Sequence, residues 1–390
     1  MLKNFILIAV RNLRRDLLYN VINIGGLIIG ISASLLLLMY ILDDMSFDRF
    51  HEDYENIYRI GSRISEPDDA FNWNVCPYPM GPKLKEDFPQ VEKFVRLAGA
   101  GLGWFKYEDV RFIENDVFYA DSSVFEVFTF PLLQGDPEKA LVRPNTIVIT
   151  ESMAQKYFGN RNPVGEVLER EGGQNYEITG VMEDVPANSH IRFDALMSAS
   201  SLPEDYGSWG NYGVFTYVLL DDGVSGEDFD KLLPSIYENY QKEIFERLNI
   251  KIRYEAMPIA RIHLHSDYEG EPEPLGNMTY IYIFSAAIIL MILLAAINYM
   301  NLAVARSVRR AREVGIRKVA GSGKTELIGQ FLTESLSHAI IAMILSLGIV
   351  YLLIPFFNTI SGKELGQSLI FNPIILLMIL GLAIRSEDVV

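Results

Sequence analysis

The feature that most constrains this chain is a short, strongly basic link between two apolar runs of membrane-spanning length. The link covers residues 306–334, and the runs on either side are residues 280–305 and 335–357. A helix needs about 20 apolar residues to cross a hydrocarbon core of about 30 Å. Because short loops rich in Lys and Arg stay in the cytoplasm, the link is predicted to be cytoplasmic. Its cations are Arg306, Arg309, Arg310, Arg312, Arg317, Lys318 and Lys324.

Two further apolar runs belong to the membrane part of the chain. Residues 21–42 form a first span, because the run exceeds a signal peptide's apolar region and no small-residue cleavage site follows it. Residues 370–384 are too short to cross alone and are assigned as a partial fourth span. Residues 1–20 alternate apolar and basic positions, which predicts a helix in the cytoplasmic interface, facing lipid head groups. A continuation of the first span into water explains the same pattern.

Between the first two spans lies a long acidic segment, residues 43–277. It holds 21 Lys and Arg against 43 Asp and Glu, whereas the rest of the chain holds 13 against 7. This charge split predicts an extracytoplasmic segment and a cytoplasmic N-terminus. The acidity argues against a nucleic acid partner. Cys76, the single cysteine, cannot form an intrachain disulfide, so the segment must fold on its apolar core.

The patterning of this segment predicts an α+β domain. Residues 146–150 are predicted to form a strand, and residues 151–158 follow as a helix. Ser225 is a predicted helix N-cap, and Pro234 must kink or restart the helix that follows. The aromatic residues between Phe47 and Tyr58 have helical spacing. The fold class is therefore a helical membrane bundle, with three full spans and a truncated fourth, carrying a large α+β domain between spans one and two.

Two patterns resemble reactive sites and are better explained otherwise. His263 and His265 would share a strand face with Asp267, but nothing nearby supplies a second cluster of metal ligands. GSGKT at residues 321–325 resembles the end of a phosphate-binding loop, yet Lys318 stands where that motif needs its first Gly. A helix–turn–helix with a glycine C-cap is the better interpretation. We therefore predict no catalytic residue, no metal and no cofactor on this chain.

Small and amide side chains mark predicted helix contacts inside the membrane. Gly26, Gly30 and Ser34 repeat every four residues in the first span, which allows close approach of another helix. Asn298 and Asn301 lie one turn apart near the cytoplasmic end of the second span, where an amide usually bonds a neighbouring helix. Ordinary glycine usage in membrane helices explains the first pattern equally well.

Six stretches, in the right order and over almost the whole chain, resemble the permease subunits of the MacB/FtsX-like ATP-binding-cassette (ABC) transporter family. They are NFILIAVRNLRRDLLYNVINIGGLIIGI, FDRFHEDYENIYRI, FYADSSVFEVFTFPLLQGDPEKAL, PNTIVITESMAQKYFGNRNPVGE, YEITGVMEDVPANSHIRFDALMS and INYMNLAVARSVRRAREVGIRKVAGSGKTELIGQFLTESL. The resemblance implies a MacB-like periplasmic core domain at residues 43–277, followed by an FtsX-like membrane module in a bacterial inner membrane.

The resemblance also implies partners and a coupling surface. A separate cytoplasmic ATPase would hydrolyse ATP, and a permease dimer or second permease half would pass its motion to the periplasmic domains. A periplasmic adaptor and membrane lipid are further expected partners. The residues on which ATPase contact is expected are Arg309, Arg310, Arg312, Glu313, Gly315, Arg317 and Lys318.

The chain departs from the family pattern at its end, and two other functions stay open. The family module has a complete fourth span, whereas here the fourth run stops at Ile384, as in the first half of a tandem permease. A receptor signalling inward would share the arrangement of span, outer domain and span, although this chain re-enters the membrane after a short link. A membrane-anchored regulator of cell-wall hydrolysis would share the permease fold.

Overall fold

A computed structural model of the protein describes residues 17–203, 206–319, 324–367 and 370. Its contacts divide the chain into two units. One unit comprises the described parts of Met1–Met45 and Met278–Val390, and the other is Ser46–Asn277. Over the described residues the helices are α1 (Leu17–Met45), α2 (Met80–Asp87), α3 (Val124–Val127), α4 (Glu151–Phe158), α5 (Gly226–Asp230), α6 (Pro234–Ile236), α7 (Lys242–Phe245), α8 (Ile259–His265), α9 (Met278–Val319) and α10 (Lys324–Ser361).

The first unit consists of three long helices, α1, α9 and α10. Each contains a stretch long and apolar enough to cross a membrane, namely Ile24–Met45, Met278–Asn298 and Ile340–Ser361. Because α1 begins at Leu17, residues 17–20 continue the helix of the first span. Residues 1–16 of the predicted interfacial helix lie outside the described residues, as do residues 371–384 of the predicted fourth span. The described residues therefore contain three apolar spans, and a fourth is not shown.

The second unit is an α+β domain built on one large mixed sheet. Its strands are β1 (Ile57–Ser65), β2 (Ala70–Trp73), β3 (Cys76–Pro77), β4 (Val91–Gly99), β5 (Gly103–Tyr107), β6 (Val110–Glu114), β7 (Val117–Ala120), β8 (Leu132–Gly135), β9 (Thr146–Thr150), β10 (Val167–Arg170), β11 (Gln174–Met182), β12 (Ala195–Ser198), β13 (Tyr212–Leu220) and β14 (Lys251–Pro258). The strand order is β14-β1-β13-β4-β7-β12-β9-β11-β10-β5-β6, and β2, β3 and β8 pair with β1, β13 and β11.

Local sequence signals place several of these elements where they were predicted. The Thr150 side chain accepts a hydrogen bond from the backbone of Met153 and so caps α4, which ends at Gly159 in a left-handed conformation. Ser225 caps α5 in the same way, and Pro234 begins a new helix, α6. The predicted helix after Phe47 is wrong, because residues 46–56 form hydrogen-bonded turns.

Three apolar clusters fill the domain. One surrounds Phe128 and Tyr217 and includes buried residues of α8. A second packs α2, α5 and α6 against β1, β13 and β14, and a third packs α4 against β9 and β11. Cys76 is fully buried in the second cluster, and burial raises the pKa of its thiol to about 12. The domain therefore has the extensive core that a chain without disulfides requires.

Candidate functional site

The predicted coupling segment lies along two long helices. Residues 306–319 are the last part of α9, which runs without a break from Met278, and α10 begins at Lys324. The side chains predicted to contact an ATPase lie outside the described part of the structure, namely those of Arg309, Arg310, Arg312, Glu313, Arg317 and Lys318, together with Gly315. Residues 320–323, which include most of GSGKT, lie outside it as well. The backbone of the described part of this segment is therefore helical.

Helix α1 packs against both α9 and α10, and glycines lie at its contact with α9. A Cβ added to Gly26 would lie 2.7 Å from Nδ2 of Asn298, and one added to Gly30 would lie 3.2 Å from Cβ of Ala295. Ser34, the third member of the predicted small-residue face, is buried. Asn301 is exposed in the described unit, so Asn298 is the amide that meets the glycine face. The missing side chains let the two helix backbones approach closely.

Replacing Gly26 with leucine is expected to lower the thermal stability of the detergent-solubilised protein. The new side chain must displace Asn298, and overpacking of this kind costs about 1–3 kcal/mol. Gly25→Leu is the matched control, because a Cβ at Gly25 meets nothing within 4 Å. Equal melting temperatures for the two variants would show that Gly26 is not a contact position.

A charged cluster ties the end of α1 to the chain that follows α10. Nζ of Lys363 lies 3.0 Å from Oδ2 of Asp43 and also pairs with Asp44, and it lies 5.2 Å from the ring centre of Tyr40. Burial alone would lower the pKa of Lys363, but hydrogen bonds and charge attraction from the two carboxylates outweigh burial and raise it. The lysine therefore stays charged and holds the ends of both helices together.

The domain begins with a strained, buried aspartate. In the first tether, which we define as residues 46–51, Asp48 has φ 59° and is fully buried. Its carboxylate accepts a hydrogen bond from the backbone of His190 (3.0 Å) and lies 2.7 Å from Nδ1 of that ring. Its backbone N–H donates to the carbonyl of Asn188 (2.9 Å). Positive φ is unfavourable for a residue with a Cβ, so these bonds must hold the backbone in place.

The domain ends with a buried ion pair. In the second tether, residues 266–277, Glu271 accepts two hydrogen bonds of 2.5 Å from the guanidinium of Arg59, which is fully buried. Ser266 and Asn74 also donate to Glu271. Burial raises the pKa of the Glu271 carboxyl, but the hydrogen bonds and charge of Arg59 outweigh it, so this pKa lies below its ordinary value. This doubly hydrogen-bonded pair fixes the second tether to β1.

A buried polar chain joins these two sites through the sheet. Nε2 of His190 lies 2.8 Å from the hydroxyl of Tyr217, and Tyr217 is the direct cross-strand neighbour of Arg59 in the β1–β13 ladder. Burial raises the pKa of Tyr217, while the charge of Arg59 lowers it. The chain therefore runs Asp48–His190–Tyr217–Arg59–Glu271, from the first tether to the second.

The two tethers are also linked through His263 of helix α8. The rings of Phe47 and His263 stack with their centres 3.4 Å apart and an angle of 5° between their planes. The backbone N–H of Gly276 donates to the carbonyl of His263 (2.9 Å). The prediction that His263 and His265 share a strand face is wrong, because both lie on helix α8. Within the described residues, no three His, Cys, Asp or Glu side chains are grouped as metal ligands would be.

His51, the histidine of the first tether, lies in an aromatic pocket. His51 contacts the rings of Phe50, Phe128 and Phe130, and its Nδ1 accepts a hydrogen bond from the backbone of Thr129 (3.1 Å). Burial lowers the pKa of His51 to about 4. The ring is therefore neutral near pH 7.

Two protein-family models match this chain. Residues 21–236 match the model of the MacB-like periplasmic core domain, and residues 285–385 match that of the FtsX-like permease C-terminal domain. Together the two matches cover the first span, most of the domain and the later membrane helices, in the order described above.

The curated relatives are distant in sequence, and their names agree with the two family models. The macrolide export ATP-binding/permease protein MacB of Vibrio parahaemolyticus is 24% identical over 261 residues, covering 64% of this chain and 36% of the relative. MacB of Psychrobacter arcticus is 22% identical over 244 residues, covering 60% and 34%. The ABC transporter permease YknZ of Bacillus subtilis is 25% identical over 211 residues, covering 52% and 47%. The chain thus spans a third to a half of the length of these relatives.

Solved structures of domains from related proteins are similar to about half of this chain. A domain described as part of a permease from Porphyromonas gingivalis is 24% identical, with a TM-score of 0.48, covering 53% of this chain and 91% of that one. The extracellular domain of YknZ from Gram-positive bacteria is 16% identical, with a TM-score of 0.38, covering 52% and 100%. The family model that covers more than half of the chain decides the assignment. With a second family model on its membrane helices, the chain belongs to the MacB/FtsX-like ABC transporter permease family.

Proposed function

We propose that this chain is a permease subunit that couples ATP hydrolysis by a separate cytoplasmic ATPase to movement of its periplasmic domain. That movement would serve the export or extraction of a substrate. ATP binds the partner in this proposal, and this chain itself carries no cofactor and no catalytic residue. The observation that carries the proposal is the length of helix α9, 42 residues without a break.

The length of α9 suits the transmission of a movement across a membrane. At 1.5 Å per residue such a helix is about 60 Å long, roughly twice the thickness of a hydrocarbon core. Its apolar part is Met278–Asn298, and its last turns carry the basic segment. A load applied to the basic end is therefore carried along one continuous helix to the residue that follows the periplasmic domain.

The names of the relatives support a partner ATPase. MacB is named as an ATP-binding and permease protein in one chain, whereas YknZ is named as a permease. In the proposal the present chain resembles the second arrangement and works as a permease dimer or beside a second permease half. Membrane lipid surrounds its spans, and a periplasmic adaptor is a further partner of the outer domain.

The coupling proposal is tested by reversing two charges of the basic segment. Arg309→Glu with Arg312→Glu is expected to abolish co-purification of the ATPase and stimulation of its turnover, because guanidinium groups pair carboxylates in a fixed planar fork. The control is Arg247→Glu with Lys251→Glu, which reverses two exposed charges of the outer domain. Unchanged stimulation at equal expression would reduce the basic segment to a topology signal. If the chain is a regulator of cell-wall hydrolysis, it would give the same ATPase result but would move no substrate. If it is a receptor, it would bind no ATPase.

The proposed orientation places residues 306–334 and the N-terminus in the cytoplasm. Because Cys76 is fully buried and its thiol pKa is about 12, it is a poor reporter of orientation. In a Cys76→Ala background, a cysteine replacing exposed Asp68 should react with an impermeant thiol reagent once the outer layer is opened. A cysteine replacing Ser307 should react only after the inner membrane is opened. The reverse order would overturn the orientation.

A further inference from the structure

We propose that Phe47, His263 and Gly276 form a clasp that makes the two tethers of the periplasmic domain move as one piece. The inference deepens the proposed function and rests on it, since the clasp would pass one movement to both spans. Phe47 comes two residues after the end of α1, and Gly276 comes two residues before the start of α9. The clasp therefore joins the chain at the points where it leaves and re-enters the membrane unit.

The clasp has the geometry of a tight, dry contact. Phe47 and His263 are both nearly buried, and their rings are parallel at 3.4 Å. A Cβ added to Gly276 would lie 2.6 Å from Nε2 of His263 and 2.9 Å from Cδ2 of Leu264. The second tether thus passes so close to the histidine that only glycine fits without displacing it. His263 is the central member, with Phe47 against its ring and Gly276 at its edge.

The buried polar chain is an independent link between the same two tethers. It starts at Asp48, one residue after Phe47, and ends at Glu271. The backbone strain at Asp48 persists because Asn188 and His190 hold both its backbone and its carboxylate. Because both the backbone and the side chain of Asp48 are held by hydrogen bonds, the first tether does not behave as a flexible linker at this position. The tethers are therefore joined twice within one domain, through the stacked ring of His263 and through the buried polar chain.

The mechanical reason for such a clasp follows from the connectivity. If each tether could bend alone, a shift of one span would be absorbed in its own tether and would leave the domain at rest. A joined pair of tethers converts a shift of either span into a movement of the whole domain. Phe47, His263 and Gly276 are accordingly positioning residues that touch neither ATP nor a transported substrate.

The clasp itself is tested by distance measurement on the full chain. Spin labels are placed on cysteines replacing the exposed residues Arg49 and Leu275, in a Cys76→Ala background, in detergent or nanodiscs. The intact clasp should give one narrow distance distribution, and His263→Ala should broaden it. His263→Phe keeps a stacking ring and should restore the narrow distribution. Because the buried polar chain also links the tethers, the comparison is repeated in a Glu271→Gln background, and an equally narrow distribution there with His263→Ala would overturn the clasp.

A second variant tests the clasp without removing the side chain of His263. Gly276→Ala must push the histidine aside and should broaden the distribution as well. Gly99→Ala is its control, since a Cβ there meets nothing within 4 Å. If Gly276→Ala behaves like Gly99→Ala, the close approach at Gly276 has no role and the clasp is overturned.

The role of the clasp in coupling has its own readout. His263→Ala should keep ATPase co-purification and a folded domain, although with a lower melting temperature, and should lower stimulation by about fivefold or more, a coupling of about 1 kcal/mol. His263→Phe should stimulate like the wild type. A broadened distance with unchanged stimulation would overturn the coupling role. If the wild-type chain stimulates no ATPase, the proposed function fails, while the distance measurement still decides whether the clasp exists.

Discussion

Replacing Glu271 with alanine should destabilise the periplasmic domain by about 3–5 kcal/mol, because it leaves a buried guanidinium without its carboxylate. Arg59 is fully buried, and the distances to both Glu271 oxygens are 2.5 Å. Solvent cannot replace the lost partner. The measurement is urea unfolding of residues 46–277 followed by circular dichroism. A loss of this size is a large share of the stability of an ordinary domain.

Two comparison variants separate the ion pair from simple truncation. Arg59→Met with Glu271→Met removes both charges and should recover most of the lost stability, because an apolar pair of similar volume is often as stable as a buried ion pair. Lys231→Ala breaks the exposed pair with Asp228 and should cost less than about 1 kcal/mol. A Glu271→Ala variant no less stable than Lys231→Ala would show that Arg59 is not buried as described.

Acidification should destabilise the same domain strongly through His51. The folded-state pKa of His51 is lowered to about 4, against 6.5 for the unfolded chain. The unfolded state therefore binds the proton first, and stability that is complete above pH 6.5 is lost as the pH falls towards 4. A difference of this size corresponds to about 3 kcal/mol. Burial among aromatic rings is the main cause, and Asp48 opposes it while His190 adds to it.

The contribution of His51 is isolated by comparing variants across pH. His51→Asn can still accept the hydrogen bond from Thr129 but has no proton to gain, so its free energy of unfolding should change less between pH 7 and pH 4. His265→Asn removes an exposed histidine and should leave the wild-type pH dependence unchanged. Parallel curves for the wild type and His51→Asn would contradict the assignment.

The parts of this fold that depend on local sequence were predictable. Long apolar runs give the three spans, because length and hydropathy alone decide whether a helix can cross a membrane. Thr150 and Ser225 mark the starts of their helices, because each side chain accepts a hydrogen bond from the backbone N–H three residues later. The helical spacing of the aromatic residues after Phe47 predicted a helix that the structure does not contain. Phe47 does not lie on a helix, and its ring stacks on that of His263.

The tether sites could not have been predicted, because their partners are far apart in sequence. Asp48 and His190 are separated by 142 positions, and Arg59 and Glu271 by 212. Pairing at such distances depends on the strand order, which no periodicity reveals. One signal was available: Arg59 lies within the otherwise apolar start of β1, IYRI, and a charge there requires a buried partner. The coupling residues remain predictions from sequence.

The position of β1 in the sheet has a consequence for biosynthesis. β1 is the first strand to be made, yet apart from the short strand β2 its neighbours are β13 and β14, the last two. Its registered partners extend to Pro258, which is synthesised only shortly before the second span. The nascent domain must therefore cross the membrane with β1 paired only to β2, and with the edge that later binds β14 exposed to wrong partners. Closure of the sheet then waits for the last strand, and so folding follows translocation of nearly the entire domain.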